Sequence, residues 1–298
     1  MTGAIALWLF AFLVTGDSIK SIRIISYFQP VFLFFLLPAF LLAVIGKKKL
    51  LTAALCLLLL TLGLRYIPLF LPKSEENIPP ASAQFSIMSF SVKGWIEDVQ
   101  PIANIIKKQQ ADLTLVQGIP KPNVLTRKLQ GIFLNAKVYS LYNGKFLAIS
   151  RYPIRSLPFA GGAQKLTVAL PSGDITVWNV HLYKDPYNYN GQVKQVQTLI
   201  DDIQKTEGGK IAAGDFNFTE SSVNYQKISQ YLSNAHQQAG WGFGFTYPTP
   251  CRRLGRLMPF LRIDHIFYGN SFSAVQADRL SEYGGSDHFP IVAVFSLR

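Results

Sequence analysis

Cysteine is scarce in this chain of 298 residues, which contains only Cys56 and Cys251. Because Cys251 is the single cysteine after residue 72, the C-terminal part cannot form an internal disulfide, and no paired CxxC motif is present for zinc or redox chemistry. A GxSxG nucleophile motif is also absent. The glycines of GWGFGF at 240–245 follow no clear strand and open no clear helix, which argues against a dinucleotide site and indicates a flexible aromatic loop.

Charged residues make up only 15% of the chain and hydrophobic residues 49%, so the chain is more apolar than an ordinary soluble domain. The apolar residues are concentrated at the front. Residues 24–46 carry no charge over 23 positions, which is long enough to cross a membrane as a helix, with kinks predicted at Pro30 and Pro38. Residues 50–71 form a second predicted span with one charge near its end, and residues 3–15 form a shorter third one.

The predicted spans imply an orientation in the membrane. Residues 3–15 lack the basic start and the cleavage site of a signal peptide, so we interpret them as a retained helix. Three lysines at 47–49 separate the two longer spans, and basic loops favour the cytoplasmic side. We therefore predict a multi-pass protein of the cytoplasmic (inner) membrane whose C-terminal part lies on the outer, periplasmic or extracellular face, whether or not residues 3–15 cross.

The chain divides into three predicted regions. They are a membrane region at 1–72 with two or three transmembrane helices, a polar linker at 73–84, and one globular domain at 85–298. From residue 74 onward the chain holds 22 of the 29 basic residues and 16 of the 17 acidic ones, a formal net charge of +6. This charge favours an anionic partner such as nucleic acid, lipid headgroups or phosphorylated small molecules, and nothing in the sequence indicates a protein partner.

Short apolar runs rich in β-formers alternate with amphipathic stretches in the predicted domain. The spacing predicts helices over 97–110, 191–205 and 221–235, the clearest being 191–205. Two runs joined across the turn PSG predict a hairpin, so the sheets are not purely parallel. The predicted strands are 85–92, 112–117, 146–150, 165–170, 174–182, 210–213, 262–269 and 289–297. This pattern alone indicates a mixed α and β domain.

Polar residues follow four of these strands at the points where the apolar runs stop. A single histidine or aspartate at such a place is usually a structural hydrogen-bonding residue, so each one alone is weak evidence for chemistry. Asp215 and Asn217 in GDFN are two residues apart, so they can share one face, although the same letters are typical of a turn. The full set is His181 in VWNVHL, Asp215 and Asn217 in GDFN, Asp264 in RIDHIF, and Asp287 with His288 in SDHFP.

In their order and context these segments resemble the endonuclease/exonuclease/phosphatase superfamily, which includes DNase I-like nucleases, neutral sphingomyelinases and inositol polyphosphate phosphatases. The resemblance covers residues 85–298 through SIMSFSV, DLTLVQ, FLAISRYPI, NVHL, GDFN, IDHIF and SDHFP. It implies an α+β, DNase I-like four-layer α/β/β/α sandwich of two mixed sheets. The hydrophobic spans before such a domain are similar to those of bacterial membrane-anchored members.

The resemblance also implies roles for the polar residues in the hydrolysis of a phosphoester. His288 would be the base that activates water and Asp264 would orient it, since an imidazole needs a partner to fix its tautomer. Asp215 and Asn217 would hold the attacking water or a phosphate oxygen. His181 would donate a hydrogen bond to the phosphoryl oxygens, and Asp287 would contribute to a site for Mg²⁺, or Mn²⁺.

Two substitutions depart from the family pattern on the metal side of the implied site. Gly118 stands where the family has a metal-binding glutamate, and Ser91 stands where it has an asparagine. Because glycine offers no ligand atom, metal binding should be weakened, and Gly118→Glu should raise it. Three interpretations stay open: a phosphodiesterase, nuclease or phosphatase whose ion is held by the remaining groups, a pseudoenzyme that binds phosphorylated ligands, or motif residues that only satisfy one another.

A basic and apolar segment, CRRLGRLMPFLR at 251–262, precedes the IDH strand. Arg252, Arg253 and Arg256 are candidates for binding substrate phosphates, and the leucines between them could enter a membrane beside anionic headgroups. A solvated basic loop is the alternative for this segment.

Overall fold

The computed structural model describes residues 2–71, 84–92, 96–132 and 138–297. The predicted linker at 73–84 therefore lies outside the described residues except for Gln84. The helices are α1 (Thr2–Thr15), α2 (Lys20–Ser26), α3 (Gln29–Ile45), α4 (Lys49–Tyr66), α5 (Gln100–Gln109), α6 (Pro122–Lys128), α7 (Asp185–Lys205), α8 (Val223–Ser229) and α9 (Ala235–Ala239). The strands are β1 (Gln84–Ser91), β2 (Leu113–Gln117), β3 (Tyr139–Asn143), β4 (Phe146–Ser150), β5 (Ile154–Leu157), β6 (Ala163–Leu170), β7 (Gly173–His181), β8 (Gly209–Asp215), β9 (Ser233–Asn234), β10 (Asp264–Tyr268), β11 (Phe272–Arg279) and β12 (Ile291–Leu297).

Two six-stranded mixed sheets form the centre of the domain. The strand order is β11-β12-β1-β2-β4-β3 in the first sheet and β5-β6-β7-β8-β10-β9 in the second. The pairs β1/β2 and β7/β8 are parallel, and the other pairs within the sheets are antiparallel. The prediction of sheets that are not purely parallel is confirmed.

Side chains alternate between two buried environments along the central strands, which is why these strands read as nearly continuous apolar runs. In β1, Phe85 and Ile87 enter a core shared by the two sheets, whereas Met88 and Phe90 face the layer that contains α5 and α6. In the second sheet, Trp178 of β7 packs with the layer of α7 and α8. Helices thus cover the outer faces of both sheets, and the expected four-layer α+β arrangement is confirmed.

All eight predicted strands are present, although their ends shift by a few residues. The predictions missed β3, β5, β9 and β11, because β3 and β5 are short edge strands and β11 mixes polar with apolar residues. The helix predicted at 221–235 is wrong in extent. It ends at Ser229, and Ser233–Asn234 then pairs as β9 with β10, since tertiary pairing outweighs local helical spacing.

The apolar N-terminal region forms four helices, of which α1, α3 and α4 share a hydrophobic cluster. By length and composition, Lys49–Leu69 could cross a membrane, with a mean hydropathy of 2.1. The segment predicted as one span at 24–46 is instead two helices, Lys20–Ser26 and Gln29–Ile45, bent by 69° just before Pro30, and together they could form a second span. Transmembrane insertion itself stays a prediction.

The segment Asp17–Phe28, here called the elbow, docks on the globular domain through buried polar contacts. Arg23 Nε lies 2.6 Å from Asp185 Oδ1, and the Tyr27 hydroxyl donates to the other oxygen of that carboxylate. Arg23 also lies 3.7 Å from the centre of the Tyr189 ring. The carboxylate of Asp17 accepts from the backbone N–H of Val223 at 2.7 Å. Because each charge has a partner, the elbow can be buried without an isolated ion.

Arg23→Met should destabilise the full chain, because it leaves the Asp185 carboxylate buried without its ion-pair partner. Breaking a buried pair from one side costs about 3–5 kcal/mol. Thermal unfolding in detergent measures the effect, and Lys20→Met, an exposed position on the same helix α2, is the matched control. Equal melting temperatures for the two variants would show that the elbow contact does not contribute.

Candidate active site

Strand register brings three of the predicted residues to one edge of the second sheet. In the parallel pair β7/β8 His181 lies beside Asp215, and in the antiparallel pair β10/β8 Asp264 lies on the other side of Asp215. Because β7 and β8 run in the same direction, their carboxyl ends meet where β10 begins. The three side chains are therefore neighbours although they lie far apart in the sequence.

His288 completes this group from the loop before β12. Its Nδ1 lies 2.8 Å from Asp264 Oδ2, and its Nε2 lies 3.7 Å from Asp215 Oδ2. The Ser286 hydroxyl donates to Ser91 O at 2.8 Å and so ties the loop to the end of β1. The predicted pairing of His288 with Asp264 is thus present in the structure.

Two buried carboxylates control the charge of His288. Burial alone would favour the neutral ring, but Asp264 and Asp215 outweigh it and raise the pKa of His288 to about 9. Burial also raises the pKa of Asp215, while the charge of His288 opposes that change. His288 is therefore protonated at neutral pH in the free protein, and it becomes a base only as the pH rises.

His181 lies on the other side of Asp215, with Nε2 3.7 Å from Asp215 Oδ2. Burial lowers the pKa of His181 to about 4, so the ring is neutral at pH 7. Its Nδ1 is buried and has no hydrogen-bond partner among the described residues. An unpaired polar atom at this edge is consistent with a ligand that would supply the missing hydrogen bond.

Asn217 occupies the turn after β8 in a left-handed backbone conformation, with φ of 53°, which asparagine tolerates. Its backbone N–H donates to Asp215 Oδ1 at 3.0 Å, and its side-chain amide donates to Leu182 O at 3.0 Å. The turn that GDFN predicts is therefore present, and a functional role for Asp215 and Asn217 stays a prediction.

The corner around Gly118 differs in construction from the one that the family pattern implies. Gly118 has φ of +72°, and a Cβ atom there would lie 2.4 Å from Val92 O and 3.8 Å from His181 Cε1. The hydroxyl of Ser91 lies 3.2 Å from Asp215 Oδ2. The Lys145 ammonium lies 3.2 Å from His181 O, so it brings a positive charge to the side of the site that lacks the glutamate.

A divalent ion finds one candidate group among the described residues. Ligand atoms of Asp215, Asp264 and His288, all buried, lie within 4.8 Å of one another. These atoms are already engaged with one another, since His288 Nδ1 is bonded to Asp264, and Gly118 itself carries no carboxylate. The residues present therefore do not fit the metal site that the family pattern implies.

Asp287, the residue predicted for the metal environment, is bound by Arg252. Arg252 Nε donates to Asp287 Oδ2 at 2.8 Å, and Nη2 contacts the same oxygen. Burial opposes ionisation of Asp287, but His288 and Arg252 outweigh it and lower its pKa. A metal role for Asp287 stays a prediction, and the Arg252 ion pair weighs against it because the guanidinium already balances this charge.

A cavity of about 310 Å³ opens beside His288 and Asn217. Of the three predicted phosphate-binding arginines, Arg252 lines this cavity, whereas Arg253 and Arg256 are exposed and do not line it. The sequence analysis missed Lys145, which follows a turn glycine, and Lys184, which lines the cavity. The sequence indicates these two lysines as site residues only through their positions close to the ends of predicted strands.

Comparison with known proteins shows to which family the chain belongs. The sequence profile described as the endonuclease/exonuclease/phosphatase family matches residues 87–288. The chain belongs to the endonuclease/exonuclease/phosphatase family. Members of this family are generally hydrolases of phosphoester bonds, and they typically use divalent metal ions. No curated protein matches the chain.

Solved structures of low sequence identity share the fold. A family protein from Leptotrichia buccalis is 20% identical with a TM-score of 0.57, covering 72% of this chain and 100% of that one. One from Bacteroides thetaiotaomicron is 13% identical with a TM-score of 0.58, covering 72% and 98%. A humanized D. rerio TDP2 is 15% identical with a TM-score of 0.58, covering 72% and 99%. These similarities confirm the DNase I-like fold.

Gly118→Glu should destabilise the protein without creating a metal site, contrary to the expectation from the sequence. The new Cβ would clash with the Val92 backbone, and positive φ alone costs a residue about 1–3 kcal/mol. Gly131→Glu is the matched control, because Gly131 has the same φ of +72° and open space around its Cβ. A melting temperature equal to that of the control, with Mg²⁺ binding gained in calorimetry, would contradict this.

Proposed function

We propose that the domain hydrolyses a phosphoester by direct attack of water activated by His288. The supporting observation is the buried pair of His288 Nδ1 with Asp264 Oδ2 at 2.8 Å beside a cavity. Since Nδ1 is held by Asp264, Nε2 is the atom that would take the proton from water. The aspartate stabilises the imidazolium that forms, and no covalent intermediate is required.

The phosphoryl group would be held by cationic and hydrogen-bonding side chains around the cavity. Asn217 and Arg252 line the cavity together with His288, and His181 and Lys145 stand at the neighbouring corner. Negative charge develops on the phosphoryl oxygens in the transition state, so fixed donors and cations lower the barrier. Asp215 lies within 3.7 Å of both imidazoles and would orient the attacking water between them.

A second candidate function is the binding of a phosphorylated ligand without turnover. Two features favour it: the buried carboxylates of Asp264 and Asp215 raise the pKa of His288 to about 9, and Gly118 carries no carboxylate. An imidazolium attracts phosphate but cannot accept a proton. Hydrolysis and binding then respond to pH in opposite directions, which separates the two functions.

The apolar hairpin of α3 and α4 would anchor the domain in the cytoplasmic membrane. Lysines 47–49 lie at the tip of the hairpin, which supports a cytoplasmic tip and a domain on the outer face. This proposed orientation rests on the same three lysines as the orientation predicted from the sequence. Magnesium dependence is likewise an expectation from the family.

His288→Ala should abolish hydrolysis, because no other described imidazole is paired with Asp264. Loss of a positioned base typically reduces the rate about 100- to 10,000-fold. The full chain in detergent is assayed on bis(4-nitrophenyl) phosphate and 4-nitrophenyl phosphate, with Mg²⁺ or with a chelator. His236→Ala, at a histidine outside the site, is the control. Retained turnover in His288→Ala would remove it as the base, and loss of turnover with chelator would show that an ion is needed.

Activity should increase with pH through neutrality and level off near pH 9. The base form of His288 is the deprotonated form, and its pKa is raised to about 9 by Asp264 and Asp215. Below that pH, kcat/KM should increase about tenfold per pH unit. A profile that is already flat at pH 7 would contradict the raised pKa, whereas phosphate binding that weakens above pH 9 without turnover would support the binding function.

A further inference from the structure

The cavity beside His288 has walls from both parts of the chain. His288, Asn217 and Arg252 of the domain line one side, and Tyr27 of the elbow lines another. Tyr27 is buried and is held in place by the Asp185 carboxylate. The N-terminal region therefore forms part of the cavity itself and is more than a distant tether.

The elbow also fixes a second wall of the cavity. Asp185, which binds Arg23 and Tyr27, directly follows Lys184 and precedes Pro186, and both of these neighbours line the cavity. This stretch begins α7, four residues after the end of β7 at His181. The elbow contact thus positions the chain that leads from the catalytic edge into α7.

The hairpin of α3 and α4 begins and ends against the domain on this side. α3 starts at Gln29, one residue after the elbow, and beyond the end of α4 the Leu69 carbonyl accepts from Gly242 N at 2.7 Å. Arg65 Nη2 donates to Glu220 O at 3.1 Å. The 17 residues of α3 extend about 26 Å away from this base at 1.5 Å per residue, close to the thickness of a bilayer core.

The loop at 251–262 contacts the elbow next to the start of α3. Phe260 stacks on Phe28 of the elbow with ring centres 5.5 Å apart. In the same loop Leu257 is 84% exposed and Leu254 is 58% exposed, and the exposed Arg253 and Arg256 flank them. Exposed leucines beside arginines are typical of a surface that enters the interface of an anionic bilayer.

We propose that the substrate is the phosphoester of a membrane phospholipid, which enters the cavity from the bilayer surface between the elbow and the loop at 251–262. This inference rests on the proposed hydrolase function and names its substrate class. Arg252 and Lys184 would bind the phosphate. Tyr27, Leu261 and Ile263 line the same cavity and would contact the apolar part next to the phosphate.

Nucleic acid is the competing macromolecular substrate for a basic domain, and the structure favours it less. A strand of nucleic acid needs a positively charged groove that tracks its backbone. Here the elbow forms one wall of the cavity, and the nearby exposed loop carries leucines next to its arginines. A lipid has its apolar part in the bilayer, where such leucines would lie.

The test uses the full chain in mixed micelles with a phospholipid, with water-soluble bis(4-nitrophenyl) phosphate and with a DNA oligonucleotide. At fixed bulk phospholipid, the rate should increase with the mole fraction of phospholipid in the micelle. Leu257→Asp should lower the rate of phospholipid hydrolysis at least tenfold and leave the rate on bis(4-nitrophenyl) phosphate unchanged. Tyr231→Asp, at an exposed aromatic residue after α8, is the matched control and should keep both rates.

A second readout does not depend on turnover. The variant Leu257→Cys, in a background of Cys56→Ser and Cys251→Ser, is labelled with the fluorophore bimane. The labelled protein is placed in vesicles whose lipids carry bromine on their acyl chains. If residue 257 enters the bilayer, the bromine atoms should quench the bimane fluorescence.

Each outcome bears on a different claim. Three outcomes would overturn the inference and leave the hydrolase function intact. The first is the absence of quenching, and the second is an equal rate of phospholipid hydrolysis for Leu257→Asp and Tyr231→Asp. The third is cleavage of DNA and bis(4-nitrophenyl) phosphate but not of the phospholipid. A parent protein that turns over none of the three substrates would instead overturn the proposed function, and the substrate assignment with it.

Discussion

The register of three strands is the constraint on which the candidate site depends. Because His181, Asp215 and Asp264 occupy one row across β7, β8 and β10, a shift of one residue in either pair would turn one of these candidate side chains to the opposite face of the sheet. The apolar alternation that fills the two faces of the sheet also sets this register. Packing of the core and geometry of the site are therefore consequences of the same pattern.

Placing carboxylates in that row has an electrostatic cost that the rest of the site offsets. Asp215 and Asp264 are almost fully buried, and an isolated buried charge is strongly unfavourable. His288 lies between the two carboxylates, whose negative charges favour its protonated form and raise its pKa. Asp287 obtains its own cation from Arg252. Asp287 thus forms a pair with Arg252, whereas Asp215 and Asp264 share the single cation of His288.

Local signals in the sequence predicted eight of the twelve described strands, whereas the four-layer fold and the roles of the site residues were predicted from the resemblance to the family. The run KIAA ending in Gly214 and Asp215 predicts a buried strand with polar groups at its end, and β8 has that form. The ion pairs Arg23–Asp185 and Arg252–Asp287 could not be predicted, since they join segments 162 and 35 residues apart. The position of Lys145 at the Gly118 corner has the same explanation, because pairing of β2 with β4 brings it there.

The backbone around Gly118 shows why replacing this one glycine by glutamate is not a sufficient test of whether metal binding has been lost. The backbone has closed around the glycine: Val92 N donates to Gln117 O at 2.7 Å, and the Val92 carbonyl occupies the space that a Cβ would need. A glutamate at position 118 would therefore clash with the main chain. The family's metal-binding side chain is absent here, and the backbone no longer leaves room for it.

Loss of an ancestral function does not by itself explain why these polar side chains remain at the site. Replacement of buried ionic groups by apolar residues of similar size is often neutral or stabilising, so the burial of Asp215, Asp264 and His288 is weak evidence for a purely structural role. The structure nevertheless holds all three in one row, with His181 Nδ1 unpaired beside them. The buried row of charges and the unpaired Nδ1 atom support the proposal that this edge of the sheet binds a phosphate group.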